Sequence, residues 1–374
     1  MRIPRAAAAT LIIILVGAAA LLTYQYYAQN SAPSPLAATT EFTTESSSPM
    51  QSTSQANATQ GPSQTLVLAT TTSTVDSGLL DYLLPVFERQ YNVQVEVLSK
   101  GTGQALAIAA QGDADVVLVH SRTLELPFVA AGYGVHRVGV MYNDFVIIGP
   151  TNDPAGIATL KTATKAFSKI YQVAQQGPGN GVIFISRADM SGTNTKELSI
   201  WAKIEVSPGN ESDHWYIEAG AGMGTVLRMA NDMKAYTLTD RGTWLTFKDQ
   251  LTNLKILVQG DKTLLNPYAV IPVNPEKWPQ RNYKMALIFA KFLISPEGQD
   301  LIGNYTKGGL QTFIPIARNY TAAAGLGFPD QPQEIAWYDS TNPSSMSISP
   351  LLTMTISNEF GQFNQEIEIF AAAH

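Results

Sequence analysis

The chain has no cysteine in its 374 residues. That absence excludes disulfides, thiolate metal sites, cysteine nucleophiles and iron–sulfur clusters together, and with them anchoring through a lipid-modified cysteine. Histidine is scarce. His120, His136, His214 and His374 are the only four, and no two stand at helical ligand spacing, so no histidine-built zinc site is expected. Charge is scarce as well: only 14% of residues are charged and the net charge is −6. No run of Lys or Arg occurs within the folded part of the sequence, and a nucleic-acid partner, which demands a basic face, is not expected. No internal repeat is visible. The length suffices for two domains with a sizeable core.

The N-terminus does carry a long apolar run. Arg2 and Arg5 precede Ala6 to Leu22, and Tyr24, Tyr26 and Tyr27 follow. The positive flank favours a cytoplasmic N-terminus. Residues 1–29 read as an uncleaved membrane anchor, with a cleaved signal segment as the alternative. Residues 30–64 are mostly Ser, Thr, Ala, Pro and Gln; they bury too little apolar area to fold and read as a stalk. Sequons begin at Asn57, Asn210, Asn304 and Asn319, which fits an exported, glycosylated protein. The folded part is therefore expected outside the cell membrane and tethered to its outer face, or secreted if the first segment is cleaved.

From Thr65 onward strand and helix patterns alternate. Strands are predicted at 65–69, 93–99, 114–120, 144–150, 181–187, 214–220, 235–240, 254–260 and 268–275. Between them, helices are predicted at 75–90, where apolar residues recur at helical spacing, and at 102–112, 191–203 and 223–234; a helix to about Leu293 and another after Pro296 close the pattern. The rhythm implies an α/β fold, mostly parallel sheet with helices on both faces. Beyond Thr321 the chain is polar and aromatic without a clear period.

Three loops share one logic. "TTTSTVDSG" (70–78), "SKGTGQA" (99–105) and "SRADMSGTNTKE" (186–197) each follow an apolar strand and precede a helix. Helix N-termini carry unpaired N–H groups and a positive partial charge, and strand-to-helix loops of open α/β sheets lie where ligands bind. Hydroxyls add donors, and Arg187, four and six residues before Ser191 and Thr193, adds a cationic fork. The sum is rich in donors and poor in acceptors, which suits a small oxyanion. Each loop alone has a plainer reading, since Ser, Thr and Asp here are ordinary helix caps. His120 reads as a structural, hydrogen-bonded residue, Asp76 as a macrodipole partner, and Asp189 as either a cap or a group that orients Arg187. An oxyanion-processing surface enzyme would need a nucleophile, metal or acid–base pair, and no such constellation stands out.

The blocks "TTTSTVDSGLLDYLLPVFE", "GTGQALAIAAQGDADVVLVHSR", "YGVHRVGVMYNDFVIIGP", "ISRADMSGTNTKELSIW" and "GAGMGTVLRMAND" resemble, in order, those of the substrate-binding proteins of tungstate ABC importers. The resemblance spans about Leu66 to Asp240, and the return segment to about Pro315 also fits. It implies a two-lobed periplasmic-binding-protein (type II) fold, each lobe a sheet flanked by helices, closing on a ligand in the interlobe cleft. Lobe 1 is then expected at 65–150 and 268–320, lobe 2 at 151–267, and a C-terminal extension of unknown role at 321–374. The implied ligand is tungstate, with molybdate its near-isostere and sulfate or phosphate the alternatives. The implied partners are a membrane permease and its ATPase, the chain itself being a monomer without cofactor, catalytic group or metal site. The oxyanion contacts carried over are Thr70, Thr71, Thr72 and Ser73, with Arg187, Ser191, Gly192 and Thr193; Thr102 is added by analogy with related phosphate binders. Ser121 stands where the family commonly has a small residue, and Asn194 where it commonly has histidine, both near the expected cleft.

Overall fold

A computed structural model describes residues 64–177, 179–210 and 213–343. The expected anchor, the stalk up to residue 63, the Asn57 sequon and the last part of the tail lie outside these residues.

The first half builds strands and helices in turn: β1 (Gln64–Thr71), α1 (Thr72–Asp76), α2 (Leu79–Tyr91), β2 (Val93–Lys100), α3 (Thr102–Ala110), β3 (Val116–Val119), α4 (Arg122–Ala130) and β4 (Val138–Pro150). The middle supplies α5 (Ala163–Ala174), β5 (Phe184–Ser186), α6 (Gly192–Lys203), β6 (Tyr216–Glu218), α7 (Met223–Met233), β7 (Thr237–Asp240), α8 (Arg241–Phe247) and β8 (Leu254–Val258). The chain returns through β9 (Leu265–Pro272), α9 (Tyr283–Ile294), α10 (Pro296–Asn304), the two-residue strands β10 (Thr306–Lys307), β11 (Leu310–Gln311) and β12 (Ile314–Pro315), then α11 (Tyr320–Gly325) and α12 (Gln331–Ser340). The helix expected at 75–90 is divided. Gly78 holds φ at +78°, a left-handed value that no helix contains, so the hydroxyl-rich stretch forms its own short α1. Behind it, α2 turns the stripe Leu79, Leu80, Leu83 and Phe87 into the core.

β1 lies between β2 and β3, parallel to both, with Thr70 opposite Ser99 and Leu118. Parallel strands buried on both faces read as unbroken apolar runs, and β3 is buried throughout. Antiparallel pairing enters with β9, which joins β3 to β4. The rhythm of the sequence does not reveal this, because a strand running between lobes has the same apolar signature as one inside a lobe.

β4 belongs to both lobes. Val138 to Asp144 pair with β9, whereas Phe145 to Pro150 pair with β7 on one side and β8 on the other. At 13 residues it spans about 43 Å. The cores divide accordingly. Leu68, Leu83, Phe87, Leu118, Val140, Tyr268 and Phe289 pack in one cluster, and Ala105, Val117, Phe128 and Ile271 form another on that lobe. Phe145, Ile147, Phe167, Phe184, Trp201 and Tyr236 pack in the second lobe, beside Val146, Ile185, Leu227 and Trp244.

The stretch after Thr321 is not a separate appendage as far as residue 343. Ile335 and Tyr338 of α12 join the first-lobe core, and Phe328 joins its neighbour. The buried Gln331 side chain accepts from Gly139 N at 2.8 Å and donates to Gly139 O at 2.7 Å and Ala317 O at 3.0 Å. Among the described residues no helix is long and apolar enough to cross a membrane.

Candidate functional site

Strand β1 delivers Thr70 to Ser73 to the carboxyl edge of the first-lobe sheet, and each hydroxyl there has a separate task. Thr70 Oγ1 donates to Leu118 O at 2.6 Å, tying β1 to β3. Thr71 is the N-cap of α1: its Oγ1 accepts from Thr74 N at 3.2 Å and lies 2.6 Å from Thr74 Oγ1. Ser73 Oγ stands 3.0 Å from His120 Nε2, and Thr71 Oγ1 is at the same distance from that nitrogen. Thr72 is the one turned toward the second lobe, where its Oγ1 accepts from Arg187 Nη2 at 2.9 Å.

The second-lobe loop after β5 is held from within. Asp189 Oδ2 accepts from Arg187 Nη2 at 2.6 Å and from Nε at 3.2 Å, while Oδ1 accepts from Ser191 N at 3.1 Å. Asp189 therefore both orients the arginine and braces the turn. Arg187 is only 1% exposed. Ala188 and Met190 adopt left-handed φ values of 48° and 57°, a backbone strain that this hydrogen-bonded loop sustains. Ser191 caps α6 by accepting from Asn194 N at 3.2 Å. Gly192 and Thr193 open the helix, where the first N–H groups lack intrahelical partners.

The two lobes meet at these loops. Gly103 N donates to Met190 O at 3.3 Å across the cleft. A Cβ on Gly101 would stand 3.1 Å from Asp189 O. A Cβ on Gly192 would stand 2.6 Å from His120 Nδ1 and 3.0 Å from His120 O, so only glycine allows this approach. In this closed space three buried polar atoms have no hydrogen-bond partner among the described residues: Thr102 Oγ1, Arg187 Nη1 and Thr193 Oγ1. They come from three loops and both lobes, and all three can donate. Leaving a buried polar group unpaired costs about 1–3 kcal/mol; Asn143 Nδ2, Thr263 Oγ1, Trp278 Nε1 and Arg281 Nε are likewise unpartnered among the described residues, but only these three stand on the loops that meet between the lobes. The nine predicted residues stand on the three loops that meet between the lobes. The structure sorts them into unpaired donors (Arg187, Thr102, Thr193), a bridging hydroxyl (Thr72), caps (Thr71, Ser191) and braces (Thr70, Ser73), with Gly192 giving clearance.

Several groups behind the site went unnoticed in the sequence. Asn266 of β9 reaches His120 from the crossover, its Oδ1 2.9 Å from His120 Nδ1, and its Nδ2 donates to Asn143 Oδ1 of β4 at 2.8 Å. Nothing local in the sequence announces a contact across 146 residues. Glu197 Oε2 accepts from Ser186 Oγ at 2.7 Å, and its Oε1 accepts from Tyr216 OH at 2.6 Å and Trp201 Nε1 at 3.1 Å. Its i, i+4 spacing to Trp201 on a helix was the one available signal.

Burial dominates the electrostatics. It pushes the His120 imidazole down to about 3, against the pull of its Asn266 hydrogen bond, and the charges of Arg187 and Lys196 lower it further. The ring is neutral. Burial also pushes Glu197 up to about 7 and Asp240, the N-cap of α8, up to about 6. Asp76 is raised by burial too, while Arg187, the Gly224 backbone and Arg228 pull it back. No group of His, Asp and Glu able to hold a metal ion occurs among the described residues. A separate cavity of about 320 Å³ at the crossover, lined by Tyr142, Asp144, Arg241 and Gln311 among others, contains none of the predicted site residues.

Residues 52–297 match the model of the PBP superfamily domain. A tungstate-binding protein called TupA from Peptoclostridium acidaminophilum is 47% identical over 254 residues, covering 67% of this chain and 86% of that protein. The crystal structure of the tungstate ABC transporter from Geobacter sulfurreducens is similar with a TM-score of 0.58 and 52% identity, over 64% of this chain and 98% of that one. The tungstate-binding protein from Desulfovibrio alaskensis is similar with a TM-score of 0.57 and 40% identity, over 68% of this chain and 99% of that one.

Proposed function

The chain belongs to the PBP superfamily, and from that premise we propose that it binds tungstate, with molybdate as second ligand, outside the cell and hands it to an ABC importer. The observation that carries this reading is the set of three unpaired donors, Thr102 Oγ1, Arg187 Nη1 and Thr193 Oγ1, facing one closed cleft from two lobes. Thr72 joins them. It accepts from Arg187 and keeps its own proton for the ligand. The first N–H groups of α6 complete the cage. Each hydrogen bond to a charged group contributes about 1.5–3 kcal/mol. Six supply about 9–18 kcal/mol before closure and association are deducted, the same order as the roughly 12 kcal/mol of a nanomolar site. The ligand favours the closed form because only there do both lobes touch it, which is a population shift.

The scarcity of carboxylate acceptors also supports the choice among anions. Both Asp189 oxygens are engaged within their own loop, and Asp76 is turned to the Gly224 backbone. A dianion that is fully ionised at neutral pH needs no acceptor, whereas phosphate retains a proton and does. Ser73, His120 and Asn266 do line up in the order of nucleophile, base and orienting group. An imidazole pushed to about 3 is a poor base at neutral pH, so the trio is read as architecture. In this reading residues 1–29 anchor the chain, through the stalk 30–64, to the outer face of the cell membrane, and a monomer delivers the ligand to the permease and its ATPase.

Competition calorimetry with tungstate, molybdate, sulfate and phosphate tests the proposal. Tungstate and molybdate are expected to bind far more tightly than the other two, and Arg187→Ala to abolish measurable binding. Equal affinity for sulfate or phosphate, or an Arg187→Ala protein that binds tungstate normally, refutes it.

A further inference from the structure

Building on the oxyanion reading above, we propose that His120 is the positioning residue of the site: a neutral imidazole that fixes the 70–74 loop to the interlobe crossover and accepts a hydrogen bond from one of its hydroxyls. The direction of the hydrogen bonds follows from the partners. Asn266 spends its amide N–H on Asn143 Oδ1 and offers Oδ1 to the imidazole, so His120 Nδ1 carries the proton. Nε2 is then an acceptor. Ser73 and Thr71 are the hydroxyls 3.0 Å from it, and one of them donates there. The other closes onto its neighbour: Thr71 Oγ1 is 3.1 Å from Ser73 Oγ and 2.6 Å from Thr74 Oγ1. Both hydroxyl protons are consumed inside lobe 1. Ser73 and Thr71 therefore do not donate to the anion; they set the backbone and the Thr72 hydroxyl that do.

The same ring reaches two other parts of the machine. Through Asn266 and Asn143 it is bonded to β9 and β4, the strands that cross between lobes. Its outer face is where Gly192 of lobe 2 lands. Its ring centroid is 4.6 Å from that of Tyr268, and the residue is only 4% exposed, so it cannot swing aside. His120 thus sets the distance between the two halves of the cage at closure.

Two substitutions divide the imidazole's roles. His120→Asn keeps a donor near the Nδ1 position but no acceptor for the hydroxyls. His120→Gln keeps an acceptor near the Nε2 position but not the bond to Asn266. The full chain is titrated with sodium tungstate by calorimetry, at a temperature where thermal melts show each protein folded. Each variant is expected to bind at least about tenfold more weakly with unchanged stoichiometry, the size of one lost hydrogen bond in a charged site. Ser73→Ala is expected to cost less than about threefold, because its hydroxyl bonds within lobe 1 to His120 and Thr71, whereas a hydroxyl donating to the anion would cost tenfold or more. Adding Ser73→Ala to His120→Asn should then cost nothing further. Wild-type affinity in folded His120 variants, a loss above tenfold in Ser73→Ala, or a further loss above threefold when Ser73→Ala is added to His120→Asn overturns the proposal. If the His120 variants do not fold, the Ser73→Ala result alone decides. A wild-type chain that does not bind tungstate instead overturns the oxyanion reading.

Discussion

Gly192→Ala isolates lobe closure from every other property of the site. Gly192 is the first residue of α6, and its φ is not left-handed, so alanine is favoured there by the backbone. The added methyl has one fault: it would stand 2.6 Å from Nδ1, 2.7 Å from Cε1 and 3.0 Å from the carbonyl oxygen of His120. Ordinary contact is about 3.5–4.0 Å, so the turn must retreat by about 1 Å. His120 cannot yield, because hydrogen bonds hold both ring nitrogens. A retreat of that size takes the 2.9 Å bond from Arg187 to Thr72 beyond hydrogen-bond length and displaces Thr193 by as much. Losing two charge-assisted bonds at about 1.5–3 kcal/mol each weakens tungstate binding by roughly a hundredfold to ten-thousandfold. Calorimetric titration reads this directly, and a thermal melt serves as control, since residue 192 belongs to neither lobe's apolar core. Binding within threefold of wild type would show that the approach of Gly192 to His120 plays no part in holding the ligand.

Thr102→Val and Thr193→Val each remove a buried hydroxyl with no partner in the chain; each should raise the melting temperature slightly while weakening tungstate binding about tenfold, and a loss of stability would refute that division. Glu197 titrates near 4.5 when unfolded and is raised to about 7 in the fold, so its contribution is complete below 4.5 and disappears as pH rises through 7. Denaturation of wild type against Glu197→Gln across pH 5 to 8 should show the difference shifting against wild type by up to about 1.4 kcal/mol per pH unit, and parallel curves would exclude it. Gln331→Ala strands the buried N–H and C=O of Gly139 and should cost about 2–4 kcal/mol in urea unfolding; a loss below 1 kcal/mol would detach α12 from the stability of lobe 1.

What the sequence made legible was local. Strand, loop and helix succeed one another at 66–71, 101–110 and 184–203 because apolar runs, caps and helical stripes are short-range signals, and the three donor loops were found by that succession. What lay between distant residues was hidden. The bond of His120 to Asn266, the place of Gln331 against Gly139 and the passage of β4 through two sheets depend on register, which a single sequence does not display. The run Thr70 to Ser73 illustrates the boundary. Its position at a strand end announced a binding loop, but of four adjacent hydroxyls only Thr72 faces the second lobe, while Thr70 bonds to Leu118 O and Thr71 and Ser73 share His120.

Asp144 and Leu265 are ladder partners on β4 and β9. Viewed along the chain, these two strands are the arms of a β-hairpin whose turn has been replaced by the whole of residues 145–264. A two-residue turn between those positions would close the arms without moving either of them. Lobe 1 is then topologically complete on its own, with lobe 2 nested inside one of its turns. The nesting also orders events during synthesis. Lobe 1 cannot set β9 between β3 and β4 until the inserted lobe has emerged, so its sheet waits on pairings between strands far apart in the chain.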